Sequence, residues 1–66
     1  MERNSRKLIR MLEQDGWVQV TTRGSHRQFR HPTKRGRVTV PHLEKDIPAG
    51  TVASMYRQAG WRPKGG

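Results

Sequence analysis

Residues 17–41 read WVQVTTRGSHRQFRHPTKRGRVTVP, and the fold turns on how this run is divided. Val18 and Val20 alternate with Gln19 and Thr21, the period of a half-buried strand over 17–22. RGS at 23–25 is a turn. HRQFRH at 26–31 is a second strand, short and polar except for Phe29. PTKRG at 32–36 is a second turn, with Pro32 at its start and Gly36 at its end. RVTVP at 37–41 is a third strand, with Val38 and Val40 on one face and Pro41 closing it. Connections this short predict an antiparallel meander.

The flanking segments change period. Leu8, Met11 and Leu12 recur at the i, i+3, i+4 spacing of one helix face, with Ile9 beside them, so a helix is expected over 4–14. Asn4 or Ser5 serves as its N-cap and Gly16 as a left-handed stop after Asp15. After the meander, HLEKDIPAG is a loop into a second helix over 48–59, with Pro48 in the first turn, where a missing N–H costs nothing. Val52, Met55, Tyr56 and Ala59 make its apolar stripe. Gly60 is placed to end it, and Trp61 to pack back on Tyr56. The expected fold class is α+β, in the order α-β-β-β-α: a three-stranded antiparallel sheet with two helices on one face. Residues 1–61 form a single domain, and 62–66 (RPKGG) a disordered C-terminal tail.

The 66 residues allow one small core, and chains below ~70–80 residues rarely gain more than ~3–5 kcal/mol from one. There is no cysteine, which excludes a disulfide framework and cysteine-based zinc sites. No apolar run approaches the ~18 residues of a membrane span. The N-terminus carries no signal-peptide core, so a cytoplasmic location is expected. Charge is the dominant signal: 14 Lys and Arg against 5 Asp and Glu give a net +9. Arg23, Arg27, Arg30, Lys34, Arg35 and Arg37 fall in one acid-free run. A field of that sign and density attracts phosphate polyanions, or an acidic protein.

Strand parity assigns a face to His26. If Phe29 enters the core, Arg27 and His31 share its side, while His26, Gln28 and Arg30 take the side the helices leave open. His31 is then satisfied locally at the Pro32 turn. His26 is either an exposed strand residue bonded to the preceding turn or an acid–base group set among arginines. No metal or other cofactor is expected. His26 and His31 point to opposite faces, and no acid lies between Asp15 and Glu44, so convergent ligands are lacking. Trp17 is either a packing residue or a stacking platform for bases. His42, at a strand end, is an alternative assisting group.

DGW at 15–17, GSHRQFRHP at 24–32, VTVPH at 38–42, DIPAGT at 46–51 and RQAG at 57–60 together resemble the HicA toxins of toxin–antitoxin systems. Block spacing as well as block content carries the likeness, over about residues 5–61. The resemblance implies a fold like the double-stranded RNA-binding domain. It implies an mRNA interferase that cleaves RNA without a metal, using the histidine of the Gly-Ser-His block, here His26. It also implies a HicB-like antitoxin partner that masks the site. Arg27 and Gln28 stand where that family often has histidine, so no neighbouring histidine is expected to assist. Trp61 stands where a smaller aliphatic residue is common, a difference expected to matter only for packing.

The resulting expectation is an endoribonuclease toxin with His26 as general acid or base. Arg23, Ser25, Arg30, Lys34 and Arg37 are expected to hold RNA and stabilise charge at the phosphorus. The rival is a non-catalytic RNA-binding module of the same fold. A third reading is a protein-interaction module with an acidic partner.

Overall fold

The computed structural model describes residues 1–41 and 44–61; the expectations for His42 and for the 62–66 tail lie outside the described residues. The element order is α1 (Ser5–Gln14), β1 (Val18–Arg23), β2 (His26–Arg30), β3 (Val38–Pro41) and α2 (Ala49–Ala59). The strands form one antiparallel sheet in the order β1-β2-β3. The α+β meander with two helices is therefore the architecture of the chain.

Both helices pack on the face that carries Phe29, Val38 and Val40. Leu8 and Leu12 of α1 and Val52, Met55, Tyr56 and Ala59 of α2 complete the core with Trp17 and Ile47. Each fully buried apolar side chain of this kind contributes about 1.5–3 kcal/mol. Asn4 caps α1 by accepting from the Lys7 amide at 3.2 Å. Pro48 is the N-cap of α2 rather than a residue of its first turn. Ser5, buried at the start of α1, exchanges hydrogen bonds with Glu44: its amide donates to the Glu44 carbonyl, and its Oγ accepts from the Glu44 amide.

Both helices end in the same way. At α1, Gly16 adopts φ +99°, its amide donates to the Glu13 carbonyl, and the Trp17 amide donates to Leu12. At α2, Gly60 adopts φ +78°, its amide donates to Arg57, and the Trp61 amide donates to Tyr56. These are two Schellman motifs, each a Gly-Trp pair. The tryptophans converge: Trp17 Nε1 and Trp61 Nε1 both donate to Asp15 Oδ2, at 3.0 and 3.1 Å. Lys34 Nζ reaches the same oxygen at 2.7 Å and also donates to the Ala59 carbonyl at 3.0 Å. The Lys34 hydrogen bond, seconded by the two indoles and opposed by partial burial, holds the Asp15 carboxyl below its ordinary value of 3.8. Trp61 thus packs edge-on against Tyr56 as expected, with ring centroids 5.3 Å apart. It also closes a polar link between the two helix ends, so its role exceeds packing.

The expectation for Val18 and Val20 is corrected. They are 60% and 49% exposed, while Trp17 just before them is 2% exposed and fills the core. Val18 pairs with Arg30, whose neighbour Phe29 points to the helices, so Val18 lies on the opposite face. Between Gln19↔Phe29 and Thr21↔Gln28 the register slips by one, leaving Val20 as the extra residue of a β-bulge. Alternation alone reported the strand but not which side of it meets the helices.

Candidate nucleic-acid interface

The helix-free face of the sheet is built by β2 and its two neighbours. Phe29 is fully buried, so parity turns His26, Gln28 and Arg30 to the opposite side. The β1–β2 connection is a two-residue turn, Gly24-Ser25, closed by the pair Arg23↔His26. Gly24 takes φ +55°, which hairpin turns of this length require at their first position. Arg23 and His26 are therefore directly cross-strand neighbours, with Cβ atoms about 4.5–5.5 Å apart in such pairs. Both are exposed, as is Ser25 at the turn.

The bulge adds to this face. It brings Val20 and Thr21 together to line one depression with Arg23, Gln28, Arg30 and Arg37, a hollow of about 510 Å³. Three cations and no acid line it. Arg37 Nη1 donates to Gln28 Oε1 at 2.8 Å across this surface. Of the residues expected to hold RNA, Arg23, Arg30 and Arg37 are brought together here, with Ser25 at the turn beside them. Lys34 is not: its ammonium is held on the helix side by Asp15 and the Ala59 carbonyl.

The histidines separate cleanly. His31 Nδ1 lies 3.1 Å from the Thr33 amide and 3.2 Å from the Lys34 amide. Both amides can only donate, so Nδ1 accepts and Nε2 carries the proton, donating to the Asp15 carbonyl at 2.7 Å. The ring meets Trp17 edge-on at 5.3 Å. His31 is thus a structural residue of the Pro32 turn. Among the described residues, no group of three His, Cys, Asp or Glu side chains is arranged to hold a metal ion.

The family model described as HicA toxin of bacterial toxin–antitoxin matches residues 5–61. The chain belongs to the HicA toxin family. The match runs from the first residue of α1 to the residue after the α2 cap, so it takes in the whole folded unit described above. Comparison with curated proteins yields no match. Membership assigns this HicA-family chain a toxin role within a toxin–antitoxin system. Among its described residues, no helix is long and apolar enough to cross a membrane.

Sequence reasoning found the residues of this face but missed two features of it. Parity places Gln28 on this face, but nothing in the sequence ties it to Arg37. Val20 was assigned to burial because nothing in VQVTT announces a bulge.

Proposed function

We propose that this chain is a metal-independent endoribonuclease that cleaves mRNA in the cytoplasm and is neutralised by a HicB-like antitoxin covering the helix-free face. The observation that carries the reading is the position of His26. It is exposed on a face lined by arginines and lies directly across from Arg23, in a chain of the HicA family.

RNA supplies its own nucleophile. The His26 imidazole takes the proton of a 2′-hydroxyl, and the oxygen attacks the adjacent phosphorus as the bond to the 5′-oxygen breaks. The imidazolium returns a proton to that leaving oxygen, so His26 acts as base and acid in turn. The products are a 2′,3′-cyclic phosphate and a 5′-hydroxyl. Arg23, next to His26, stabilises charge developing on the phosphate oxygens, while Arg30 and Arg37 farther along the face, and Ser25 at the turn, hold the flanking chain. Lys34 is left out of this set, because its ammonium already serves the helix ends.

The test is His26→Ala. An exposed substitution changes stability by no more than ~0.5 kcal/mol, whereas loss of the acid–base group slows cleavage by ~10²–10⁴-fold. The variant should melt like the parent, retain RNA and antitoxin binding, and cease to arrest growth. Parental cleavage should survive EDTA and leave cyclic phosphate ends. A folded His26→Ala chain that cuts RNA at the parental rate removes His26 from the reaction. RNA binding without cleavage by the parent chain favours the non-catalytic RNA-binding module.

A further inference from the structure

The contact between Arg37 and Gln28 fixes more than a distance. Arginine carries donors and no acceptor. The Gln28 atom 2.8 Å from Arg37 Nη1 is therefore its carbonyl oxygen, and the amide cannot be reversed without losing the bond. Gln28 consequently turns its NH₂ group away from Arg37, with its acceptor directed at the guanidinium. The pair offers a ligand N–H donors from both members.

This pair lies in the depression it shares with Val20, Thr21, Arg23 and Arg30. The hollow, about 510 Å³, is of small-molecule size. Gln28 is the next residue after His26 on the same face of β2, about 6.5–7 Å along the strand. Val20, 49% exposed, adds an apolar surface against which the face of a base can lie. The bulge that exposes Val20 is what places apolar area inside an otherwise cationic hollow.

We propose that Gln28 and Arg37 form a nucleobase subsite that selects guanine over adenine beside the scissile phosphate of single-stranded RNA. The proposal rests on the RNA-cleaving reading above and adds a specificity to it. Guanine presents two adjacent acceptors, O6 and N7, which match a donor-only pair. Adenine presents N7 beside an N6 amino donor, and a free glutamine reads it with one acceptor and one donor. Here one lone pair of the glutamine oxygen is taken by Arg37, and the guanidinium sets positive charge where the adenine amino group would lie, so adenine is disfavoured. Cytosine presents an adjacent pair of acceptors, N3 and O2, on its open Watson–Crick edge and fits the donor pair as well, whereas the two carbonyl oxygens of uracil are separated by the N3–H donor. Unstacked bases of single-stranded RNA leave these edges open to contact.

The experiment measures binding of the full chain carrying His26→Ala, so that no probe is cut. The probes are seven-nucleotide oligouridylates with guanine, adenine or cytosine at the centre, and the all-uridine oligomer. The guanine probe should bind about 5–10-fold more tightly than the adenine and all-uridine probes, the lower part of the range for a bidentate base contact. Adding Gln28→Ala should bring the probes to within about twofold of one another, the bidentate contact being lost. Adding Arg37→Ala instead should produce a crossover. With the cation gone, Gln28 can present its oxygen and NH₂ together, and the preference should pass from guanine to adenine while overall affinity drops. Thermal melting accompanies each variant; Arg37 is exposed, so its variant tests the idea even where Gln28→Ala is unstable. Equal binding of all four probes by the His26→Ala chain overturns the subsite and leaves the endoribonuclease reading standing. Failure of every probe to bind overturns both. Unchanged base preference together with weakened antitoxin binding in the Gln28→Ala chain overturns the subsite and assigns the pair to a protein interface.

Discussion

Trp17 and Trp61 donate their indole N–H groups to one and the same oxygen, Asp15 Oδ2. Each follows the glycine that ends a helix, and the Lys34 ammonium is a third donor to that oxygen. One carboxylate thereby fastens the C-terminal ends of α1 and α2 to the β2–β3 connection.

Asp15→Ala should therefore destabilise the domain. It leaves two indole donors and an ammonium without their acceptor, at a cost of about 1–3 kcal/mol. For a chain of this size each kcal/mol lowers the melting temperature by about 4–8 °C. Circular dichroism melts at neutral pH read this directly. A variant that melts with the parent would show that water replaces the carboxylate without loss.

The same carboxylate sets a pH dependence. Its folded-state value is depressed below 3.8, chiefly by Lys34, so the unfolded chain binds the proton more readily than the folded one. Its contribution is fully present above the unfolded value and disappears as pH falls through the folded one. The gap in melting temperature between the parent and Asp15→Asn should be constant near neutrality. It should narrow as the pH falls through and below the ordinary carboxylate value of 3.8, where the parent's carboxyl becomes protonated. A gap that stays constant across that range would detach Asp15 from the acid response.

Two glycines at turns should respond differently. A Cβ added at Gly16 would lie 2.9 Å from His31 Nε2, at φ +99°. Gly16→Ala thus strains the backbone and pushes the imidazole off the Asp15 carbonyl, and a loss of about 1–3 kcal/mol is expected. At Gly24, φ is +55° and nothing lies within 4 Å of such a Cβ. Asparagine tolerates that conformation, so Gly24→Asn should change stability little. Chemical denaturation of both variants makes the comparison, and similar losses would contradict the assigned packing at Gly16.

RNA affinity should fall steeply with salt. Each phosphate neutralised on a single strand contributes about −0.7 to the log–log slope, so Arg23→Ala with Arg30→Ala should reduce its magnitude by about 1.4. The Lys34→Met chain should retain the parental slope, because that ammonium lies on the helix side. Filter-binding titrations across salt concentrations separate the two, and an unchanged slope in the double variant would move the phosphate contacts elsewhere.

Much of the fold was legible because it rests on local signals. The stripes of α1 and α2, the glycine stops and the alternation around Phe29 each reside within a few residues of sequence. The face of β2 was legible for the same reason: one aromatic residue in a polar strand leaves little choice of side. Val18 and Val20 were misplaced because period-two alternation does not say which side is covered, and the bulge depends on pairing with β2. The Asp15 contacts were not legible, since they join residues 15, 34 and 61 across the folded chain. The repeated Gly-Trp pair, once after each helix, was the available hint.

The bulge at Val20 bears finally on how these molecules keep apart. β1 is an edge strand, and a straight edge offers a ladder of backbone groups to any neighbouring chain. One surplus residue breaks the regular spacing of that ladder and increases the local twist. A chain lacking Val20 would regain a regular edge beside the exposed Val18. Loss of solubility at high concentration is the expected result.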